Sequence, residues 1–177
     1  MPSQYKRNRI FMKIYLAGPD VFRPDAANWS AKARELCRRY GYEPLLPIDH
    51  DETKPKAIFQ ANIDLIRKAQ IVVANLDPFR GAEPDSGTCF ELGYAAALGK
   101  KLCGYVTHAQ TQIQRVEAQE RRALTRTAGQ PMIDHNGWLI EDFNLPANLM
   151  LAMSTQIVAG GLEACLQSIR VRPIMTA

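Results

Sequence analysis

The chain has 177 residues, 46% of them hydrophobic and 23% charged, with a formal net charge of +4. That balance suits one globular domain with a sizeable core. It leaves no apolar run near the roughly 20 residues that span a bilayer, and no clustered basic face for nucleic acid. Four separated cysteines (Cys37, Cys89, Cys103 and Cys165) form no C-x-x-C pair. They read as small buried hydrophobes of a reducing, cytoplasmic protein. Neither a metal site nor a cofactor is expected from this residue set.

Residues 1–12 are polar and basic without an apolar core, so they read as a tail rather than a secretory signal. The domain is placed at 13–177. Lys13–Ala17 is a first strand that stops at Gly18-Pro19-Asp20. Trp29, Ala33, Leu36, Cys37 and Tyr40 recur at helical spacing from Ala27 to Tyr40, and Gly41 is suited to close that helix. Tyr42–Leu46 is a second strand. Pro55 opens a helix to about Ala69.

Ile71–Leu76 is apolar throughout, as a central parallel strand covered on both faces should be. A turn rich in Pro, Gly and acid then leads into a helix from Asp85 to Leu98, and Lys101–Val106 is a fourth strand. This β-α alternation predicts a parallel sheet with crossover helices. Beyond it come a polar helix from Thr111 to about Thr125, a loop over 127–144 around Trp138, and an apolar segment Leu145–Met153. A last strand at Ile157–Ala159 and a closing helix at Leu162–Ile169 complete the reading. No repeat or linker divides the chain.

The first β-α turn has one glycine and two prolines. It carries neither G-x-G-x-x-G nor a Gly-rich turn ending in Lys-Ser/Thr, which argues against dinucleotide binding and NTP hydrolysis. In open α/β sheets ligands bind outside the carboxyl ends of the strands. Asp85 and Glu91 flank the start of a helix at that edge, and two carboxylates are the ingredients of glycosidic-bond chemistry.

KIYLAGP with Tyr15, VVANLDPFRG, DSGTCFELGYAAALGK and the late LPANLML together resemble the nucleoside 2-deoxyribosyltransferases, from about Lys13 to Arg170. The resemblance implies a flavodoxin-like parallel sheet of about five strands with helices on both faces. It also implies transfer of a 2-deoxyribosyl group between bases of 2'-deoxynucleosides through a covalent glycosyl-enzyme. The partners it implies are small-molecule deoxynucleosides and free bases. By that likeness Glu91 is the nucleophile, Asp85 the group that protonates the departing base, and Tyr15 the hydroxyl that positions Glu91.

The residues bear on each role. Glu91 lies in the first two turns of its helix, where the positive end favours the ionised form. Asp85 before Ser-Gly-Thr is equally suited to cap the helix, and the two roles compete for its oxygens. Asn148 and Met150 match positions that the family lends from a neighbouring subunit, which implies a homo-oligomer with a shared site. Gln70 stands where the resemblance places a base-holding Asp, and it offers a donor and an acceptor but no titratable proton. Asp20, Asp49, Asp77, Arg80 and Gly87 complete the candidate substrate contacts. The rival activities are hydrolysis of a nucleoside or nucleoside 5'-monophosphate, and a non-catalytic nucleotide sensor whose one supporting feature is Gln70.

Overall fold

A computed structural model describes residues 11–125 and 129–169. Most of the tail, Thr127 of the polar loop, and Arg170 at the end of the family-like region lie outside the described residues. Five parallel strands form one sheet in the order β2-β1-β3-β4-β5, with β1 at Met12–Ala17, β2 at Tyr42–Leu45, β3 at Ile71–Asn75, β4 at Lys101–Val106 and β5 at Gln156–Ala159. Strand β1 begins inside the expected tail, because Met12 pairs with Tyr42.

The helices are α1 (Ala26–Arg39), α2 (Pro55–Lys68), α3 (Ser86–Ala97), α4 (Gln112–Glu120), α5 (Leu149–Ser154) and α6 (Gly161–Ile169). One face of the sheet packs Ile14, Leu16, Val73 and Cys103 against Ala33 and Cys37 of α1 and Cys165, Leu166 and Ile169 of α6. The other packs Tyr15, Ala17, Val72 and Ala74 against Ile66 of α2 and Leu92 and Ala95 of α3. Strand β3 contributes to both layers, which is why its sequence is apolar without alternation. Gly41 and Gly99 take positive φ just after α1 and α3, the conformation that ends a helix at least steric cost.

One expectation changes at the C-terminal end. Helix α4 stops at Arg121, which turns left-handed at φ 55, rather than running to Thr125. The carboxylates of its last turns are taken elsewhere: Glu117 accepts from Leu124 N, and Glu120 from His135 N. Within the apolar segment Leu145–Met153, α5 starts at Leu149, where Asn148 caps it by accepting from Met150 N at 3.0 Å.

Strand order reverses between β1 and β3. The crevice at their carboxyl ends is therefore the switch point where open α/β sheets bind ligands.

Candidate active site

Tyr15 sits in the middle of β1 with its side chain on the α2/α3 face, fully buried. Its hydroxyl donates to Glu91 Oε1 at 2.6 Å across the gap to α3. A short bond from a neutral donor to a carboxylate fixes that carboxylate in one orientation. Glu91 Oε2 carries no hydrogen bond among the described residues, so one oxygen is held and the other is available.

Burial raises the Glu91 carboxyl to about 7; the Tyr15 bond pulls it down, and the nearby Asp85 charge pushes it up. The helix end was expected to keep Glu91 ionised, but loss of water outweighs that advantage. Burial and the facing Glu91 drive the Tyr15 hydroxyl upward, so it remains a donor.

Asp85 begins α3 as its cap. One oxygen, Oδ2, accepts from both Thr88 N (2.8 Å) and Thr88 Oγ1 (2.9 Å). Oδ1 carries no hydrogen bond among the described residues. Capping and proton transfer therefore do not compete for the same atom. A Cβ at Gly87 would come within 3.1 Å of Asp85 Oδ2, so glycine there lets the cap sit against the first turn.

The loops around this pair are fastened by the other candidates. Asp20 is buried and accepts from Asn75 Nδ2 at 2.9 Å, tying the first loop to the end of β3. Burial raises its carboxyl, with Asn75 opposing. Asp77 uses both oxygens on Thr107 N and Oγ1 at 2.6 Å, binding the β3–α3 loop to the end of β4. Asp49 accepts from Leu46 N at 2.8 Å and pairs with Arg34, shaping the turn after β2. Its charge also reaches Tyr15. Arg80 adopts φ 54 and lies over the rings of Phe79 (4.7 Å) and Phe22 (5.4 Å).

Gln70 is not part of this constellation. It precedes β3 at the amino end of the sheet, where its Oε1 accepts from Lys13 N at 2.7 Å and its backbone oxygen from Lys101 N. A five-residue strand at about 3.3 Å per residue separates it from the crevice, and its acceptor is occupied by the edge of β1. Its place in the sequence says "start of β3", and in a parallel sheet every start lies opposite the ligand edge.

Among the described residues neither Asn148 nor Met150 makes a hydrogen bond to Glu91. Asn148 spends its amide on Glu141 (2.9 Å), and Met150 is 72% exposed.

Several residues at this edge escaped the sequence reading. Asn75 could have been found as the polar residue closing an apolar strand. Arg115 is buried and reaches under the β3–α3 loop to donate to Leu76 O at 3.0 Å. The signal for it is a helical step in α4, Gln112 to Arg115, whose inward positions are polar. His50 meets Asn62 Oδ1 at 3.2 Å beside Asp49, and nothing in the local sequence marks that pairing. Among the described residues no group of three or more His, Cys, Asp or Glu is placed to hold a metal ion. None of their helices is long and apolar enough to cross a membrane.

The Tyr15 bond makes a measurable difference. With Tyr15→Phe the influence that lowers the Glu91 carboxyl is gone, so the acidic limb of kcat/KM, expected near pH 7, moves to higher pH. Superimposable limbs for the two proteins would show that the hydroxyl does not govern Glu91.

The arrangement can be compared with known proteins. The family model for nucleoside 2-deoxyribosyltransferase matches residues 14–150. A solved 2-deoxyribosyltransferase from Leishmania mexicana is 37% identical, with a TM-score of 0.71 over 89% of this chain and 95% of that one. An uncharacterised protein of Schizosaccharomyces pombe, C191.05c, is 30% identical over 155 residues, 77% of this chain and 74% of that protein. A conserved protein from Enterococcus faecalis shares the fold at 20% identity, with a TM-score of 0.56 over 89% of this chain and 98% of that one. By the span of that family match, and by the strand-loop-helix carrying Asp85 and Glu91 that lies inside it, the chain belongs to the nucleoside 2-deoxyribosyltransferase family.

Proposed function

We propose that this protein exchanges the base of 2'-deoxynucleosides with retention at the anomeric carbon, using Glu91 as nucleophile. The observation that carries the proposal is the 2.6 Å Tyr15–Glu91 bond, which leaves the second Glu91 oxygen without a hydrogen bond among the described residues, near the Asp85 charge. Glu91 Oε2 attacks C1' of the sugar while the bond to the base breaks. The base leaves as Asp85 gives it a proton that Asp85 has first taken up from solvent, because a purine or pyrimidine anion is a poor leaving group. The incoming base then attacks C1' through a ring nitrogen, its proton passes to Asp85, and the electron pair of the sugar ester returns to Glu91.

Glu91 enters this cycle as the carboxylate, so the rate should climb as pH rises through about 7. A partly desolvated carboxylate has also lost the water shell that would blunt it as a nucleophile.

Charge around the crevice favours nucleosides over their 5'-monophosphates. Asp20, Asp49, Asp77, Asp85 and Glu91 bring carboxylates to the strand ends, while Arg23 is committed to Asp25 at 2.9 Å. The first loop spends its bends on Pro19 and Pro24 and offers few backbone donors to a phosphate. The sensor reading loses its one feature, since Gln70 lies at the other end of the sheet.

The exposed Trp138, Met150 and Met153, at 74%, 72% and 68%, support an assembly of identical copies in which α5 serves a neighbouring site.

The test is intact-protein mass after incubation with a 2-fluoro-substituted 2'-deoxynucleoside, alongside deoxyinosine turnover with and without adenine. One sugar-sized adduct on Glu91 and formation of deoxyadenosine are expected. Base release at full rate without adenine, and no new nucleoside with it, would establish a hydrolase instead.

A further inference from the structure

Phe22 lies in the one-turn 3-10 helix Pro19–Phe22 of the first loop, and Phe79 and Arg80 lie in the loop between β3 and α3. The two rings stack, with centroids 5.7 Å apart and planes 15° from parallel. The Arg80 guanidinium covers both. Three side chains thus join the loops that follow β1 and β3, across the switch point where Tyr15 and Glu91 meet.

The fold does not need this contact to hold its loops. The first loop is already tied down by Asp20 on Asn75, and the second by Asp77 on Thr107. Phe22 remains 59% exposed, and Arg80 keeps a left-handed backbone that a non-glycine residue rarely adopts. A large apolar ring left in water and a strained arginine laid over it suggest a functional reason.

We propose that Phe22, Phe79 and Arg80 form a clasp over the mouth of the crevice that makes the enzyme a transferase rather than a hydrolase. This rests on the base-exchange reading above. Once the sugar is esterified to Glu91, two nucleophiles compete for C1'. A base attacks through a ring nitrogen and yields a nucleoside. Water attacks through its oxygen, gives a proton to Asp85, and yields free 2-deoxyribose as the ester electron pair returns to Glu91. Water is far more abundant than any base, so transfer requires a cover that a planar aromatic base can replace and water cannot.

A stacked pair of phenyl rings under a guanidinium suits that task. A base entering between the loops meets π-faces and a cation it can stack on, whereas water meets an apolar edge. The contacts are exposed and individually weak, so the clasp opens for each base to enter and leave. Arg80 and Phe22 act on the partition of the intermediate through the base they stack on and contribute no atom to the attack on C1'.

The experiment follows hypoxanthine and deoxyadenosine together from deoxyinosine plus adenine. Hypoxanthine released in excess of deoxyadenosine measures hydrolysis. Arg80→Asn keeps a residue that tolerates the left-handed backbone and removes the cation. Phe22→Ala removes the exposed ring. Each is expected to raise the hydrolysis-to-transfer ratio about fivefold, the change that loss of one exposed cation–π contact gives. Arg80→Lys, which keeps a cation, should return the ratio most of the way to that of the wild type.

An unchanged ratio in both Arg80→Asn and Phe22→Ala, with the sugar adduct on Glu91 still forming, overturns the clasp and leaves base exchange standing. Absence of the adduct in the wild type overturns base exchange, and the clasp with it.

Discussion

Replacing Glu91 by glutamine is expected to abolish base exchange and, at pH 8, to make the protein more stable than the wild type. The loss of turnover should reach at least about 10⁴-fold, because an amide oxygen cannot replace the carboxylate as the proposed nucleophile. The gain in stability has a separate origin. In the folded protein the Glu91 carboxyl sits at about 7 instead of its ordinary 4.5, chiefly because burial strips it of water.

Between those two values the folded chain holds a proton that the unfolded chain has released. Stability therefore falls as pH rises through this window, and the cost is fully present above it. The gap corresponds to at most about 3 kcal/mol. Glutamine has the same shape, still accepts from the Tyr15 hydroxyl and carries no charge to desolvate. Thermal melts should show the Glu91→Gln protein above the wild type by up to about 10 °C at pH 8, for a domain of this size. The two curves should converge near pH 4. A Glu91→Gln protein that melts below the wild type at pH 8 would mean that the ionised carboxylate is not strained by its surroundings. Site residues that weaken the fold they sit in are common where function needs a desolvated charge.

The second large effect concerns Asp85, where a catalytic and a structural role can be pulled apart. Asp85→Asn preserves the cap, since an amide oxygen can accept from Thr88 N and Oγ1 as Oδ2 does now, and Asn ranks with Asp at that position. It removes the proton donor. Turnover of deoxyinosine should fall about 10²- to 10⁴-fold with unfolding left nearly unchanged. Asp85→Ala should lose as much turnover and about 1 kcal/mol of stability besides.

A 7-methylated purine deoxynucleoside, whose base is already cationic, needs no proton to depart. Release of that base should survive Asp85→Asn far better than release of hypoxanthine. Equal losses on the two substrates would assign Asp85 to the cap alone.

The two variants together separate the steps of the cycle. On the proposed cycle, a protein without Glu91 is expected to show no sugar ester. Without the Asp85 proton the ester still forms from an activated substrate, and only poor leaving groups stall. In the proposed cycle the Tyr15–Glu91 bond acts in the first step and the Phe22–Phe79–Arg80 clasp on the fate of the ester, so each residue has its own readout.

Much of this site is local in sequence, and that is why it could be read there. Asp85 and Glu91 stand six residues apart on one strand-loop-helix segment, and the alternation of short apolar strands with helices predicted a parallel sheet. Every strand was expected within about one residue of where it lies, because Pro, Gly and the switch of hydrophobic period mark each boundary. Helix α4 was overextended because its polar pattern continues past Arg121 while its carboxylates are drawn to distant partners.

What the linear chain did not carry were relations between segments far apart along it. Gln70 abuts an apolar strand and looks like a neighbour of the site, yet parallel pairing sends it to the opposite edge. The helix end at Glu91 predicts an ionised carboxylate, yet the packing of α3 against β1 decides how much water reaches it, and water wins. Which oxygens of Glu91 and Asp85 carry no hydrogen bond among the described residues depends on Tyr15, 76 residues before Glu91, and on the turn at Thr88. Amino-acid order determined which groups are present and the elements that hold them. Desolvation, strand direction and loop-to-loop contact are properties of three-dimensional neighbours, and only the tertiary structure could settle which carboxylate is strained, which oxygen is free and which candidate lies on the wrong side of the sheet.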